Sequence, residues 1–219
     1  ELNVGDLRVS KSVTGTGAQP EKDFTFTLTL EREDGVKVDH DAYEAEIATE
    51  GSQEVETFEL TRNAADEYTF QLKDGETITI KGIPTGTTYT VTETVPTADG
   101  YQQTDANAAQ TGTITKDTGE SAPLESFTNH RDVYGLTVTK KTAGNGLAEP
   151  GVRKEFDITV TLAAPEGVTL VGEYTHAGGE PVAITGDANG EWSQTFILKD
   201  GAMAVSFAKL PEGTTYTVT

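Results

Sequence analysis

A lysine, a glutamate and an asparagine lie far apart in this 219-residue chain, yet each falls on the apolar side of an alternating segment. Side chains two apart share one face of a strand. Leu7, Val9 and Val13 mark such a face and Lys11 shares it; Tyr89 and Val91 lead to Glu93, and Phe127 leads to Asn129. An ammonium and a carboxylate left charged in an apolar core cost several kcal/mol each. Burial would drive both toward their neutral forms. An uncharged Lys11 amine is a nucleophile. A protonated Glu93 can hydrogen-bond the Asn129 carbonyl oxygen, making its carbon more electrophilic, and relay protons to the departing ammonia. The product is an amide joining Lys11 to Asn129, which removes two costly groups from the core. Such a site acts once, on itself, so the chain reads as no turnover enzyme.

Strands must position these residues. Asp23–Leu30, Thr77–Ile80 and Thr88–Thr92 alternate threonine with apolar residues, the pattern of half-buried strands. Turn signals divide the runs: Asp34-Gly35, Asp74-Gly75, Pro84-Thr85-Gly86 and Asp99-Gly100. Asp41–Glu50 fits either a helix or a strand through Tyr43, Ala45 and Ile47. The fold class expected is all-β, built of Ig-like sandwiches.

Three blocks recur in the same order. Leu7-Arg8-Val9-Ser10-Lys11 matches Leu136-Thr137-Val138-Thr139-Lys140, 129 residues on. Leu72-Lys73-Asp74-Gly75 returns as Leu198-Lys199-Asp200-Gly201, 126 residues on, and Gly86–Thr92 returns as Gly213–Thr219, 127 residues on. This is a tandem duplication. The expected domains are 1–130, a complete copy, and 131–219, a second copy that stops before its final strands. His130–Tyr134 between them is too short and too poor in glycine for a loose tether, so an end-to-end arrangement is expected.

Composition excludes several classes. Sixteen Lys and Arg against 36 Asp and Glu give a net charge of −20, which repels phosphate backbones and argues against a nucleic-acid partner. No run of apolar residues is long enough for membrane insertion of this segment, and no leader opens it. The piece therefore reads as mature and soluble, or cut from something longer. With no cysteine, disulfides, thiolate metal sites and thiol catalysis fall away. No cofactor or metal is expected: Asp39-His40-Asp41 lacks the spacing of a calcium loop, and Gly15-Thr16-Gly17 is too short for a phosphate loop. His40, His130 and His176 share no motif with a nucleophilic serine. Leu210–Thr214 sits where Ile83–Thr87 sits in the first copy and reads as a repeat turn rather than a sorting signal. Trp192 reads as core or strand-edge filling.

The segments Leu7–Lys11, Tyr89–Glu93 and Phe127–Asn129 together resemble the isopeptide-linker domains of Gram-positive pilins and surface adhesins, relatives of the collagen-adhesin B-type (CnaB-like) fold. The Pro96 and Gly100-Tyr101 that follow Glu93 are similar as well. The resemblance spans the chain as one full and one partial copy. It implies a bond from the first-strand Lys11 to the last-strand Asn129, with catalytic assistance from Glu93. In the second copy Lys140 takes the place of Lys11, on the face of Leu136 and Val138, while Lys141 faces solvent. A matching glutamate and asparagine would fall after Thr219, so Lys140 has no crosslinking partner in this chain.

Taken singly, each residue has an ordinary reading: a strand lysine snorkels, a strand-end glutamate is solvated, and an asparagine before His130 belongs to a turn. Their order and their partial repetition favour the crosslink. The function expected is a stalk or pilin-type module of a secreted, cell-wall-anchored surface protein of a Gram-positive bacterium. Its partners would be neighbouring repeats of the same protein, with any host-surface ligand met through another region. The alternative is an adhesin module whose own loops contact a host ligand, which calls for an exposed aromatic or apolar patch. An enzyme acting on an external substrate ranks third.

Overall fold

The computed structural model describes residues 3–32, 40–105, 109–144 and 154–219. The Asp34-Gly35 turn and Asp39 lie outside them. Strands dominate because period-two runs of threonine and β-branched or aromatic residues suit a pleated surface with one buried face. The chain divides into two compact units, one built around residues up to His130 and the other around Arg131–Thr219.

The first unit carries β1 (Val4–Thr14), β2 (Phe24–Glu31), β3 (Ala42–Thr49), β4 (Val55–Thr61), β5 (Tyr68–Leu72), β6 (Glu76–Pro84), β7 (Thr88–Thr94), β8 (Gln102–Gln103), β9 (Ala109–Thr113) and β10 (Leu124–His130). They form a six-stranded sheet in the order β4-β3-β6-β1-β10-β8 and a four-stranded sheet in the order β5-β2-β7-β9. Asp41–Glu50, readable either way in sequence, is a strand: its period-two face places Tyr43 and Ala45 in the core.

One core fills the space between the two sheets. Leu7 and Val9 of β1, Ile78 and Ile80 of β6 and Phe127 of β10 meet Phe24, Phe26 and Leu28 of β2, Phe70 of β5 and Val91 of β7. Phe26 is its hub, stacked on Phe70 (centroids 5.4 Å apart, 9°) and edge-on to Phe127 (5.2 Å, 72°). Such arrangements satisfy the aromatic quadrupole and add to the area buried.

The pairing that matters most is β1 with β10. The first and last strands of the unit lie side by side and parallel, with Arg8 opposite Leu124, Lys11 opposite Phe127 and Val13 opposite Asn129. A parallel pair needs a long crossover, and here that crossover is nearly the whole unit.

The second unit repeats this plan with β11 (Val133–Val138), β12 (Glu155–Ala163), β13 (Val171–His176), β14 (Val182–Thr185), β15 (Glu191–Lys199), β16 (Val205–Pro211) and β17 (Thr215–Val218). Its sheets run β11-β16-β13-β14 and β15-β12-β17. In order, these seven strands correspond to β1 through β7. Their core gathers Val160, Leu162, Phe196, Leu198, Val205 and Phe207, and Trp192 packs against its flank.

Phe26 is fully buried and meets aromatic rings of both sheets, so Phe26→Ala is expected to destabilise the first unit by about 3–5 kcal/mol. Urea denaturation followed by circular dichroism, against wild type, measures the shift.

Candidate functional site

Lys11, Glu93 and Asn129 reach the core by three routes. Along β1 the exposed or half-buried Arg8, Ser10 and Ser12 alternate with buried Leu7, Val9, Lys11 and Val13. On β10, Phe127 and Asn129 turn inward. Glu93 comes from β7 in the facing sheet, beyond Tyr89 and Val91 on the same side of the strand. The structure thus brings these three sequence-predicted residues together across the sandwich: Lys11, Glu93 and Asn129 keep only 2%, 4% and 0% of their surface exposed.

Both nitrogen-bearing side chains converge on one oxygen. Lys11 Nζ lies 3.0 Å from Glu93 Oε1 as an ion pair with no side-chain exposure on either partner. The amide of Asn129 donates from Nδ2 to the same Oε1 at 2.6 Å. The sequence leads one to expect a protonated Glu93 that donates to the amide oxygen. The geometry is the opposite, with the carboxylate as acceptor, as fits an oxygen that also receives the lysine's charge. Glu93 Oε2 and Asn129 Oδ1 are buried without a hydrogen-bond partner among the described residues, and Lys11 Nζ is held by its ion pair with Glu93. Unpartnered buried polar atoms cost roughly 1–3 kcal/mol each.

The surroundings press Lys11 toward its uncharged form. Its Nζ sits 4.5 Å over the Phe24 ring, which Tyr101 meets edge-on at 5.3 Å. Burial pulls the Lys11 pKa below its ordinary 10.5, while Glu93 first, then Asp105 and Asp74, oppose the shift. Burial wins.

Two positioning groups carry no functional label in the sequence reading. Asp74 accepts from Val13 N at 2.7 Å and Gly75 N donates to the Lys11 carbonyl at 2.9 Å, so the Asp74-Gly75 turn grips β1 around the lysine. Asp105 accepts from Thr128 N at 2.5 Å, fixing β10 beside Asn129. The signal for the first was available: Asp74-Gly75 recurs as Asp200-Gly201.

That recurrence is structural too. In the second unit Thr142 N donates to Asp200 at 3.0 Å, and Gly201 N donates to the Lys140 carbonyl at 3.0 Å. Lys140 is half-buried and its Nζ lies 4.5 Å over Phe156, matching Lys11 over Phe24. Lys141 is exposed. The seat of the lysine is duplicated.

A family model described as "Domain of unknown function (DUF7601)" matches residues 5–131 and again 134–219. The pilus tip adhesin Cpa of Streptococcus pyogenes is 33% identical over 134 residues, 60% of this chain and 18% of that protein. A pilin of Streptococcus pyogenes serotype M1 is 33% identical over 140 residues, 64% of this chain and 40% of that protein. The chain therefore spans a fifth to two-fifths of these relatives. The crystal structure of the major pilin from Streptococcus pyogenes aligns over 59% of this chain and 48% of that one, at 29% identity and a TM-score of 0.44.

The lowered Lys11 pKa has a measurable sign. Between its folded value and 10.5 the unfolded chain holds more protons, so stability contributed through Lys11 rises with pH. In an Asn129→Ala background, which offers the amine no amide to attack, the urea midpoint is expected to climb toward pH 10.5 relative to Lys11→Met/Asn129→Ala. A flat or falling difference would count against burial as the dominant influence.

Proposed function

The chain belongs to the DUF7601 family, and we propose that it serves a Gram-positive pilus or surface adhesin as a structural module welded internally by a Lys11–Asn129 isopeptide bond. The observation that carries this reading is the convergence of Lys11 Nζ (3.0 Å) and Asn129 Nδ2 (2.6 Å) on Glu93 Oε1 in a buried site. The pilin and the pilus tip adhesin among its relatives support the cellular setting. Two tandem copies, 1–130 and 131–219, are part of the same proposal, as is exposure on the cell surface. Among the described residues no helix is long and apolar enough to cross a membrane.

The reaction uses only groups of the chain. Lys11 passes a proton from Nζ to Glu93, leaving a free amine beside the amide. The amine attacks Cγ of Asn129, forming the new C–N bond and placing charge on Oδ1. Glu93 then protonates Nδ2, whose bond to Cγ breaks. Ammonia leaves with the remaining proton of the former lysine ammonium as NH4+, and Glu93 returns to a carboxylate. The reaction removes the charged amine and the primary amide from the core.

The bond would tie two strands that already lie in register, closing a loop of 118 residues between Lys11 and Asn129. By analogy with a disulfide of that span, constraint of the unfolded chain contributes about 4–5 kcal/mol. Mechanically, tension entering at β1 and leaving at β10 would pass through covalent bonds, and the strands between would carry little of it. An amide also survives reductants. These properties favour the stalk reading over a module that binds ligand through its own loops.

Intact-mass spectrometry tests the chemistry. Wild type is expected one ammonia lighter than its sequence, and Lys11→Ala, Glu93→Ala and Asn129→Ala each at full mass after allowing for the substitution. Full mass in folded wild type would refute the bond. Single-molecule stretching tests the mechanical role: wild type is expected to lack an unfolding step from the first unit, and Asn129→Ala to regain one. The same step in wild type would remove the stalk argument.

A further inference from the structure

Strands β7 and β10 belong to facing sheets and run in the same direction. Two polar bridges join their inward faces. One is Asn129 Nδ2 to Glu93 Oε1 at 2.6 Å; the other is Tyr89 Oη to Glu125 Oε1 at 2.5 Å. Each bridge spans the same 36 positions, and they stand four residues apart along both strands. Four residues are roughly 13 Å of strand. Between them face the apolar side chains of Val91 and Phe127, both buried. A slip of β10 by one residue would break both bridges together and turn Asn129 out of the core.

β10 needs such a fastening. On one side it is paired along its length with β1; on the other, among the described residues, the two-residue β8 at Asn129 and His130 and the following Thr104 and Asp105 at Thr128 hold its C-terminal half. At the Glu125 end, the contacts from the facing sheet come from Tyr89 and from Gln110, whose Nε2 donates to the Ser126 carbonyl at 2.6 Å.

Tyr89 reaches Glu125 through a gap made for it. Its ring lies across β9 at Gly112, its direct partner in the ladder. A Cβ at 112 would stand 2.3 Å from Tyr89 Oη and 2.5 Å from Cζ, so any larger residue displaces the ring. Burial and the neighbouring Glu125 carboxylate hold the phenol well above its ordinary pKa, so it remains a donor.

We propose that Tyr89 and Glu125, with Gly112 as the clearance that admits them, are positioning residues that set the register of β10 so that the Asn129 amide meets Lys11 and Glu93. Neither touches the reacting atoms. The inference rests on the crosslinking reading, and misplacement of a reacting group by about 1 Å can cost on the order of 100-fold in rate.

The test follows ammonia loss by intact mass in chain freshly made by cell-free synthesis, for wild type, Tyr89→Phe, Glu125→Gln and Gly112→Ala. Circular dichroism sets the folded fraction to which each rate is normalised. Tyr89→Phe keeps the ring and removes only the hydroxyl, so packing is preserved. The expected result is that Tyr89→Phe and Glu125→Gln lose ammonia roughly 10–100-fold more slowly than wild type at equal folded fraction, with Gly112→Ala slowed likewise. Rates equal to wild type in both bridge variants overturn the inference. Failure of both to fold also overturns it, because the pair would then hold the fold and not the reaction geometry. Absence of ammonia loss from wild type itself sinks the crosslinking reading, a different outcome from unchanged variants.

Discussion

An amine, a carboxylate and an amide share one oxygen in the middle of an apolar sandwich, and the rest of the first unit can be understood as the apparatus that holds them there. In water the same three groups would be solvated and inert toward one another. Phe24, the Phe26–Phe127 pair and the flanking aliphatic side chains exclude that alternative. Once water is gone, the ion pair must offset the desolvation of both charges by itself, and such pairs often fall short. Glu93 Oε2 and Asn129 Oδ1, buried without hydrogen bonds among the described residues, are the sign of that shortfall. A site in this condition gains by any chemistry that removes its polar groups.

The topology explains why the site can have mechanical consequences. Lys11 and Asn129 are 118 positions apart in sequence and two register positions apart on adjacent parallel strands. Few arrangements put the entrance and exit strands of a unit side by side with the same direction. The parallel pair puts the chain's entrance, at the start of β1, and its exit, at the end of β10, at opposite ends of the sheet; antiparallel neighbours would put both at the same end, and a bond there would shield the intervening chain differently. With β1 and β10 parallel, a single amide of the kind proposed would suffice.

Much of this is legible in the sequence. Period-two alternation orients a side chain without reference to its partners, so Lys11, Glu93, Asn129 and even Lys140 could be assigned to faces from their own strands. Register and partner choice are long-range, and there the sequence is nearly silent. Nothing local shows that β10 lies parallel to β1, that Asp105 fixes the β10 backbone, or that Tyr89 crosses Gly112 to find Glu125. Asp41–Glu50 stayed ambiguous because Tyr43, Ala45 and Ile47 fit two periods; the sheet, by offering β6 and β4 as neighbours, settled it. The direction of the Glu93–Asn129 hydrogen bond is not legible from either strand alone, because it depends on how the Asn129 amide is turned toward the acid and the lysine across the core.

The duplication allows the causes to be separated. Both copies seat their lysine in the same way: an Asp-Gly turn grips the backbone, and an aromatic ring lies 4.5 Å beneath the ammonium. That seat is therefore a property of β1, β2 and the turn before β6, all present twice. In the first copy β10 lies beside β1, with Phe127 opposite Lys11 and both Phe127 and Asn129 turned into the core. The strand that carries the asparagine is thus also a strand that covers the lysine. In the crosslinking reading, reactant and dry environment would arrive together, confining the chemistry to a unit whose last strand has docked.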